Sequence, residues 1–80
     1  MPAQVTMYSR VGCHLCDAMR AELGVLAAEL GFRVEEVDID ADPVLAARFN
    51  AKVPVLALAG EPLCCHFLDE SVLKDALAHE

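Results

Sequence analysis

The sequence has no long apolar run, no export signal and few basic residues. No run of apolar residues approaches the roughly 18 that a membrane-spanning helix needs, and the start, Met-Pro-Ala-Gln-Val, lacks the basic and then apolar segments of a signal peptide. Six Lys and Arg residues against thirteen Asp and Glu residues leave a net charge of −7, which repels phosphate backbones and anionic lipid headgroups. These absences predict a cytoplasmic protein that binds neither nucleic acid nor membranes.

The chain also lacks internal repeats, low-complexity stretches and a linker rich in Pro, Gly or Ser. Its 80 residues are about half of the usual ~150 residues per domain, which leaves no room for a second one. Hydrophobic residues make up 56% and charged residues 24%, a balance that supports a buried core and is not typical of a disordered tail. We expect residues 1–80 to form a single domain that acts as a monomer.

The first half of the chain predicts a strand–helix–strand unit. The Gln4–Tyr8 segment is β-prone and is followed by a turn at Ser9–Gly12. Apolar residues then recur at helical spacing and form one stripe, Leu15, Met19, Leu23, Leu26 and Leu30. Gly31 is placed to end this helix as a C-terminal cap. The Phe32–Ile39 segment is the second strand, which the helical crossover makes parallel to the first.

A second, shorter helix is predicted to begin where Asp42 precedes Pro43, since Asp is a good N-cap and Pro fits the first helical position. This helix ends near Asn50, and its apolar face is formed by Val44, Leu45 and Phe49.

The last third of the chain predicts a hairpin and a helix. Val53–Leu58 is an apolar strand, Gly60–Pro62 is a turn, and Leu63–His66 returns antiparallel. Asp69 or Ser71 caps the final helix, whose inward face is Val72, Leu73, Ala76 and Leu77. The predicted order is βαβαββα, an α/β fold in which helices flank a central mixed four-stranded sheet.

Four cysteines occur as two pairs, Cys13 with Cys16 and Cys64 with Cys65. In a reducing compartment a C-x-x-C pair indicates either redox exchange or metal binding. At a junction between a strand and a helix, the first sulfur lies near unpaired backbone N–H groups and the positive end of the helix dipole, which stabilise a thiolate. Cys13 is therefore the expected nucleophile, and Cys16, one helical turn on, is the expected resolving thiol.

Two basic side chains lie close to this pair in the sequence. Arg10, three residues before Cys13, is a candidate for stabilising its thiolate or holding a substrate carboxylate, and the alternative is a solvated loop residue. His14 lies between the cysteines, where an imidazolium favours the thiolate, and the alternative is an exposed histidine with no partner.

The segment Tyr8–Cys16, the downstream Val53-Pro54 and the order of elements together resemble a glutaredoxin-like protein of the thioredoxin fold. In particular, the chain resembles a small bacterial group that carries His-Leu between its cysteines. The resemblance implies a thiol–disulfide oxidoreductase in which Cys13 attacks and Cys16 resolves, with no bound cofactor or metal. It also implies that Pro54 is a cis-proline facing the cysteines, beside which the Val53 backbone binds an extended substrate.

The chain departs from the glutaredoxins that use glutathione, which have Thr before Val-Pro and a Gly-Gly pair followed shortly by Asp. Here Lys52 precedes Val53, Cys65-His66 replaces the glycines, and Asp69 stands in the place of the Asp. Arg48, Lys52 and Asp69 are candidate contacts to a peptide or to glutathione, and the alternative is surface charge and a helix cap. The implied partners are a disulfide-containing protein or small thiol substrate and a reductant, either glutathione or a thioredoxin-type reductase.

The second cysteine pair lies in the predicted hairpin. Adjacent residues of a strand point to opposite faces, so one of Cys64 and Cys65 is expected in the core and the other outside. A disulfide between them is disfavoured, because the Cα atoms of neighbours are closer together than disulfide geometry prefers. An auxiliary redox role for Cys65 stays open.

Two other functions are compatible with a C-x-x-C pair at this place. Soft-metal carriers for copper or zinc also place such a pair between a first strand and a first helix. Those carriers have a βαββαβ order that ends in a strand, whereas Ser71–His79 here predicts a helix. The third function is a non-catalytic module that uses the fold for protein recognition, which an unreactive, buried Cys13 would favour.

Overall fold

A single mixed sheet organises the computed structural model, which describes residues 2–79. Its four strands lie in the order β2-β1-β3-β4, with β1 parallel to β2 and antiparallel to β3, and with β3 antiparallel to β4. The elements in chain order are β1 (Gln4–Ser9), α1 (His14–Leu30), β2 (Arg33–Asp38), a short 3₁₀ turn (Ile39–Ala41), α2 (Pro43–Phe49), β3 (Val55–Leu58), β4 (Glu61–Cys65) and α3 (Glu70–Ala78). The predicted α/β class and the βαβαββα order are therefore confirmed.

Three of the predicted helix caps are confirmed, and α3 runs over Glu70–Ala78, one residue earlier at each end than the predicted Ser71–His79. Asp42 accepts a hydrogen bond from the Val44 N–H at 2.9 Å and caps α2, with Pro43 at its first position. Gly31 ends α1 in the left-handed conformation, with φ 76°, which glycine adopts without a Cβ penalty. Of the two candidate caps for α3, the structure selects Asp69.

Apolar side chains cover both faces of the sheet. One face packs against α1 and α3 in a cluster of Val5, Met7, Cys16, Met19, Leu23, Leu26, Phe32, Leu56, Leu58 and Leu73. The other face packs against α2 and the 3₁₀ turn through Ile39, Phe49 and Val55, and the Tyr8 ring stacks on Phe49 at 4.5 Å between centroids. Because β3 is central and covered on both faces, all four of its residues are buried.

Several residues of the predicted apolar faces are exposed. Within α1, Leu15 and Leu30 reach solvent, because Leu15 lies in the first turn and Leu30 is the last helical residue. Val44 of α2 and Val72 of α3 are also exposed. Cys16 is buried on the inward face of α1, although the predicted apolar stripe of this helix did not include it.

The prediction of a turn at Gly60–Pro62 is wrong for Glu61 and Pro62. The turn consists of Ala59 and Gly60, with φ of 52° and 81°, and Glu61 and Pro62 already belong to β4. A two-residue turn with positive φ at both positions matches the twist of a hairpin. Pro62 is tolerated in β4 because this is an edge strand, where a missing N–H costs no ladder bond on the solvent side.

The second strand is one residue shorter at each end than predicted. β2 runs over Arg33–Asp38, while Phe32 and Ile39 lie just outside it and are both buried. Within residues 2–79, no helix is both long and apolar enough to cross a membrane. Cytoplasmic localisation, the single domain and the monomeric state stay predictions.

Candidate active site

The two cysteines of the C-x-x-C pair meet where β1 leads into α1. Cys13 is the N-cap of α1, and its Sγ accepts a hydrogen bond from the Cys16 N–H at 3.1 Å. The two Sγ atoms are joined in a disulfide, with the Cα atoms 5.2 Å apart. Gly12, with φ 79°, provides the left-handed turn that directs the chain from the strand into the helix.

The two sulfurs differ in their access to solvent. Cys16 is 0% exposed and lies in the core cluster beneath α1, whereas Cys13 is half-buried and packs at its margin. Of the two cysteines, only Cys13 is therefore partly exposed to solvent. The helix N–H groups around Cys13 favour a negative charge on its sulfur, because the first turn of a helix leaves such donors unpaired.

The segment before β3 lies against the same core. Val53 and Cys13 both pack on the cluster that contains Cys16, and the Val53–Pro54 peptide bond is cis, as the resemblance implies. Among backbone groups of residues 2–79, none forms a hydrogen bond with the N–H or C=O of Val53.

His66 ties this segment to the end of β4. Its backbone N–H donates to the Pro54 carbonyl at 2.8 Å, and its ring lies 2.9 Å from the Ala51 carbonyl, which requires that Nε2 carry the proton and donate. His66 has a left-handed φ of 69°. The residue that replaces a glycine in the pattern of the family thus also has the backbone conformation that glycine favours.

The structure places Arg10 in an ion pair. Its Nε and Nη2 donate to the two carboxylate oxygens of Asp40 at 2.9 and 3.0 Å, and Nη1 donates to the Asn50 carbonyl at 3.2 Å. This pairing holds the pKa of the Asp40 carboxyl below its usual value. The expected action of Arg10 on Cys13 or on a substrate carboxylate stays a prediction.

A second arginine near the cysteines was not singled out from the sequence. Arg20 donates to both carboxylate oxygens of Glu36 at 2.6 Å and to Asp17 at 2.8 Å, while the Ser9 hydroxyl donates to Glu36 at 2.8 Å. The hydrogen bond from Arg20 is the main reason that the pKa of Glu36 is lowered. This network joins the start of α1 to β1 and β2, and only the spacing of Asp17 and Arg20 hints at it in the sequence.

The other candidate residues lie at separate places. His14 is the first residue of α1 and is exposed. Asp69 accepts hydrogen bonds from the Val72 N–H at 3.2 Å and the Ser71 hydroxyl at 2.9 Å, and the first of these is the main cause that lowers its pKa. Asp69 therefore caps α3, and its contact with a substrate stays a prediction.

The second cysteine pair is divided between the faces of the sheet. Cys64 is half-buried against the core beneath α1 and α3, and this burial raises the pKa of its thiol. Cys65 is exposed, and both thiols are free. Among residues 2–79, no three His, Cys, Asp or Glu side chains are grouped so that they hold a metal ion.

Three known proteins resemble this chain in sequence, in structure or in both. A protein from Nitrosomonas europaea, solved by NMR in solution, superimposes with a TM-score of 0.86 at 39% identity, covering 96% of this chain and 93% of that chain. An uncharacterised protein of Mycobacterium tuberculosis is 32% identical in an alignment 80 positions long, which covers 94% of this chain and 82% of that protein. The X-ray structure of Fasciola hepatica thioredoxin, 18% identical with a TM-score of 0.61 over 98% of this chain and 80% of that chain, shows a similar fold.

A model of one protein family matches almost the whole chain, over residues 4–78. This stretch includes the C-x-x-C pair, the cis-proline segment and the strands and helices that position them. The protein belongs to the family of the glutaredoxin-like domain (DUF836) and has a thioredoxin-like fold.

Proposed function

We propose that this chain is a dithiol thiol–disulfide oxidoreductase in which Cys13 is the nucleophile and Cys16 the resolving thiol. The observation that carries the proposal is the asymmetry of the pair: Cys13 is accessible at the helix N-terminus, and Cys16 is buried directly behind it. Reactive cysteines need both access and stabilisation of the thiolate, and Cys13 has both. Membership of the glutaredoxin-like family supports the same assignment.

The proposed reaction transfers two electrons to a substrate disulfide. The Cys13 thiolate attacks one substrate sulfur, which forms a mixed disulfide and releases the other sulfur as a thiolate that takes up a proton. The Cys16 thiol then loses its proton and attacks the Cys13 Sγ, which releases the second substrate thiol and closes the Cys13–Cys16 disulfide. An external thiol, either glutathione or a thioredoxin-type reductase, returns the two electrons.

The substrate is proposed to lie along Val53 and Pro54. The unpaired N–H and C=O of Val53 are suited to hydrogen bonds with an extended peptide beside the accessible sulfur. Arg10, His14 and Asp69 are the proposed polar contacts. We also propose, from His14 and Leu15 between the cysteines, that the chain belongs to the small bacterial group that it resembles. A disulfide-containing protein fits this backbone recognition, and a small disulfide fits the accessible Cys13.

The soft-metal carrier has no observation in its favour. Its ligands would be Cys13 and Cys16 with a contribution from the second pair. However, Cys64 pairs with Leu56 on the face that packs against α1 and α3, whereas Cys65 pairs with Val55 on the other face. A buried, unreactive Cys13 would favour the non-catalytic module, and Cys13 is only half-buried.

A redox titration in thiol–disulfide buffers, quenched by alkylation and read by mass spectrometry, tests the proposal. Trypsin releases the first pair between Arg10 and Arg20 and the second between Lys52 and Lys74, so the two pairs are measured separately. We expect a reversible Cys13–Cys16 disulfide with a potential between about −270 and −120 mV. A pair that stays reduced throughout, or that is protected by stoichiometric bound metal, refutes the oxidoreductase.

Trapping of the mixed disulfide distinguishes the nucleophilic cysteine from the resolving cysteine. With a peptide disulfide as substrate, Cys16→Ser is expected to accumulate a mixed disulfide on Cys13, because the resolving thiol is absent. Cys13→Ser is expected to accumulate none on Cys16, because that position is buried. Equal adducts in the two variants contradict the assignment, and Cys64→Ser is the matched control for removing a half-buried thiol elsewhere.

A further inference from the structure

His66 contacts the polypeptide on both sides of Val53. Its backbone N–H donates to the Pro54 carbonyl at 2.8 Å, which extends the pairing of β3 with β4 by one residue. Its ring Nε2 donates to the Ala51 carbonyl oxygen at 2.9 Å. His66 therefore holds the two ends of residues 51–54, which we call the Val53 segment.

Only the ring contact depends on the side chain of His66. Another residue at this position keeps the backbone bond to Pro54, because every residue except proline has an N–H. The Ala51 carbonyl belongs to a turn after α2 in which residues 51 and 52 are exposed, so water replaces the ring when the ring is removed. Loss of the ring therefore releases one end of the Val53 segment without leaving a buried polar group unpaired.

The backbone of His66 is in a conformation that most residues avoid. Its φ of 69° lies in the left-handed region, where the Cβ approaches the following carbonyl oxygen. A residue other than glycine persists there when the surrounding contacts hold it, and such residues are concentrated at functional sites. The bonds to Ala51 and Pro54 are contacts of this kind, and both are made to the Val53 segment.

A second side chain holds the backbone immediately before the Val53 segment. Arg10 donates from Nη1 to the Asn50 carbonyl at 3.2 Å, and its other donors bind Asp40. Because Arg10 lies three residues before Cys13, this bond joins the loop of the nucleophile to the end of α2. The ring of His66 provides the corresponding bond from the end of β4, so the Val53 segment is held from two sides.

We propose that His66 is a positioning residue, whose ring contact with Ala51 keeps the Val53 backbone aligned with Cys13 for an extended peptide disulfide. Val53 and Cys13 pack on the same buried cluster, so a shift of Val53 changes how a bound peptide presents its sulfur to the Cys13 Sγ. A misplacement of about 1 Å slows some enzymatic reactions by about 100-fold. The proposal rests on the proposed function and adds that the ring of His66 serves peptide disulfides and not disulfides too small to reach Val53.

The experiment measures how fast the reduced protein reduces two uncharged disulfides. One is the symmetric disulfide of an acetylated and amidated peptide with a central cysteine and neutral side chains. The other is bis(2-hydroxyethyl) disulfide, which has no peptide groups that pair with Val53. Formation of the Cys13–Cys16 disulfide is followed by alkylation and mass spectrometry. The rate of each variant is divided by the wild-type rate with the same disulfide, which removes the difference in intrinsic reactivity between the two reagents.

The variants His66→Asn and His66→Gln separate the ring contact from the backbone conformation. Glutamine carries its amide donor one methylene further from the backbone than asparagine, so only glutamine reaches the place of Nε2. We expect His66→Asn to lower the relative rate with the peptide disulfide about fivefold, the factor that corresponds to one hydrogen bond of ordinary net strength. The rate with bis(2-hydroxyethyl) disulfide is expected to stay unchanged, and His66→Gln is expected to retain both rates. Backbone conformation alone predicts the opposite order, because asparagine adopts the left-handed region more readily than glutamine.

The matched control is His79→Asn, which removes a ring that contacts a backbone carbonyl at the end of α3, and it is expected to leave both rates unchanged. Circular dichroism confirms that each variant is folded. A long-range ¹H–¹⁵N spectrum of the neutral His66 ring reports the contact itself, and a proton on Nδ1 instead of Nε2 overturns the proposal whatever the rates.

The outcomes distinguish this proposal from the proposed function. If the wild type reduces both disulfides but His66→Asn slows both equally or neither, or is faster with the peptide than His66→Gln, the positioning role of His66 is wrong and the oxidoreductase stands. If the wild type reduces neither disulfide, the proposed function is refuted, and the positioning role is refuted with it.

Discussion

Leu73 is the residue by which α3 is anchored to the sheet, and its truncation is the sharpest test of how the fold supports the active site. It is the buried residue of α3, at 0% exposure, in the cluster that also contains Cys16. Leu73→Ala removes its buried methyl groups and leaves a cavity, which costs about 3–5 kcal/mol in well-packed cores. A domain of 80 residues has a free energy of unfolding of about 4–12 kcal/mol, so the loss is a large share of the total.

Urea unfolding followed by circular dichroism measures this loss. With a slope of about 1 kcal/mol per molar urea, the loss of about 3–5 kcal/mol is expected to lower the midpoint of Leu73→Ala by roughly 3–5 M. The Cys13–Cys16 pair is kept in one redox state throughout, since a disulfide changes the unfolded state as well. Val72→Ala is the matched control, because Val72 is 37% exposed and alanine is the better helix former. Equal shifts of the two midpoints refute the anchoring role of Leu73.

Two further predictions concern α1 and the network beside it. Gly31→Ala places a Cβ in the left-handed cap of α1 and is expected to lower the free energy of unfolding by about 1 kcal/mol, whereas Gly24→Ala, in the open middle of α1, is expected to raise it by about 1 kcal/mol. Thermal unfolding reports both, and effects of the same sign contradict the assignment of the cap. The pKa of Glu36 is lowered by Arg20 in the folded state, so its stabilisation is present above the ordinary value of 4.5 and is lost as the pH falls through the lower folded pKa. Glu36→Gln is therefore expected to be less stable than the wild type near neutral pH and to approach it in acid, and a pH-independent difference in urea midpoint would show that the ion pair contributes nothing.

Local signals were sufficient for the order of elements. The caps at Asp42 and Gly31 act through hydrogen bonds and backbone conformations that involve near neighbours in the chain, so the sequence reveals them. The hairpin turn was misplaced because Gly60 and Pro62 are both turn-forming residues, and only the pairing of β3 with β4 decides which of them lies in the strand. The exposed ends of α1 depend on how far the sheet extends beneath it, which periodicity does not report.

The position of Cys13 at the start of α1 was predictable from the sequence, whereas the surroundings of the pair depended on the tertiary structure. A C-x-x-C pair at a strand–helix junction places Cys13 at the helix N-terminus whatever packs around it, because the spacing of helical residues is fixed. The partners of Arg10 and Arg20 lie 30 and 16 residues away, and no local rule selects Asp40 or Glu36 among the many acidic residues of the chain.

The same distinction applies to the second cysteine pair. Alternation along a strand predicts that Cys64 and Cys65 face opposite ways, because successive side chains of a strand always do. Which of them faces the core depends on the register of β4 against β3, and this register includes an irregularity between Leu56 and Ala57 that shifts the pairing by one residue. The sequence by itself thus determined the alternation of the two cysteines, whereas the exposure of Cys65 was decided only when β4 paired with β3.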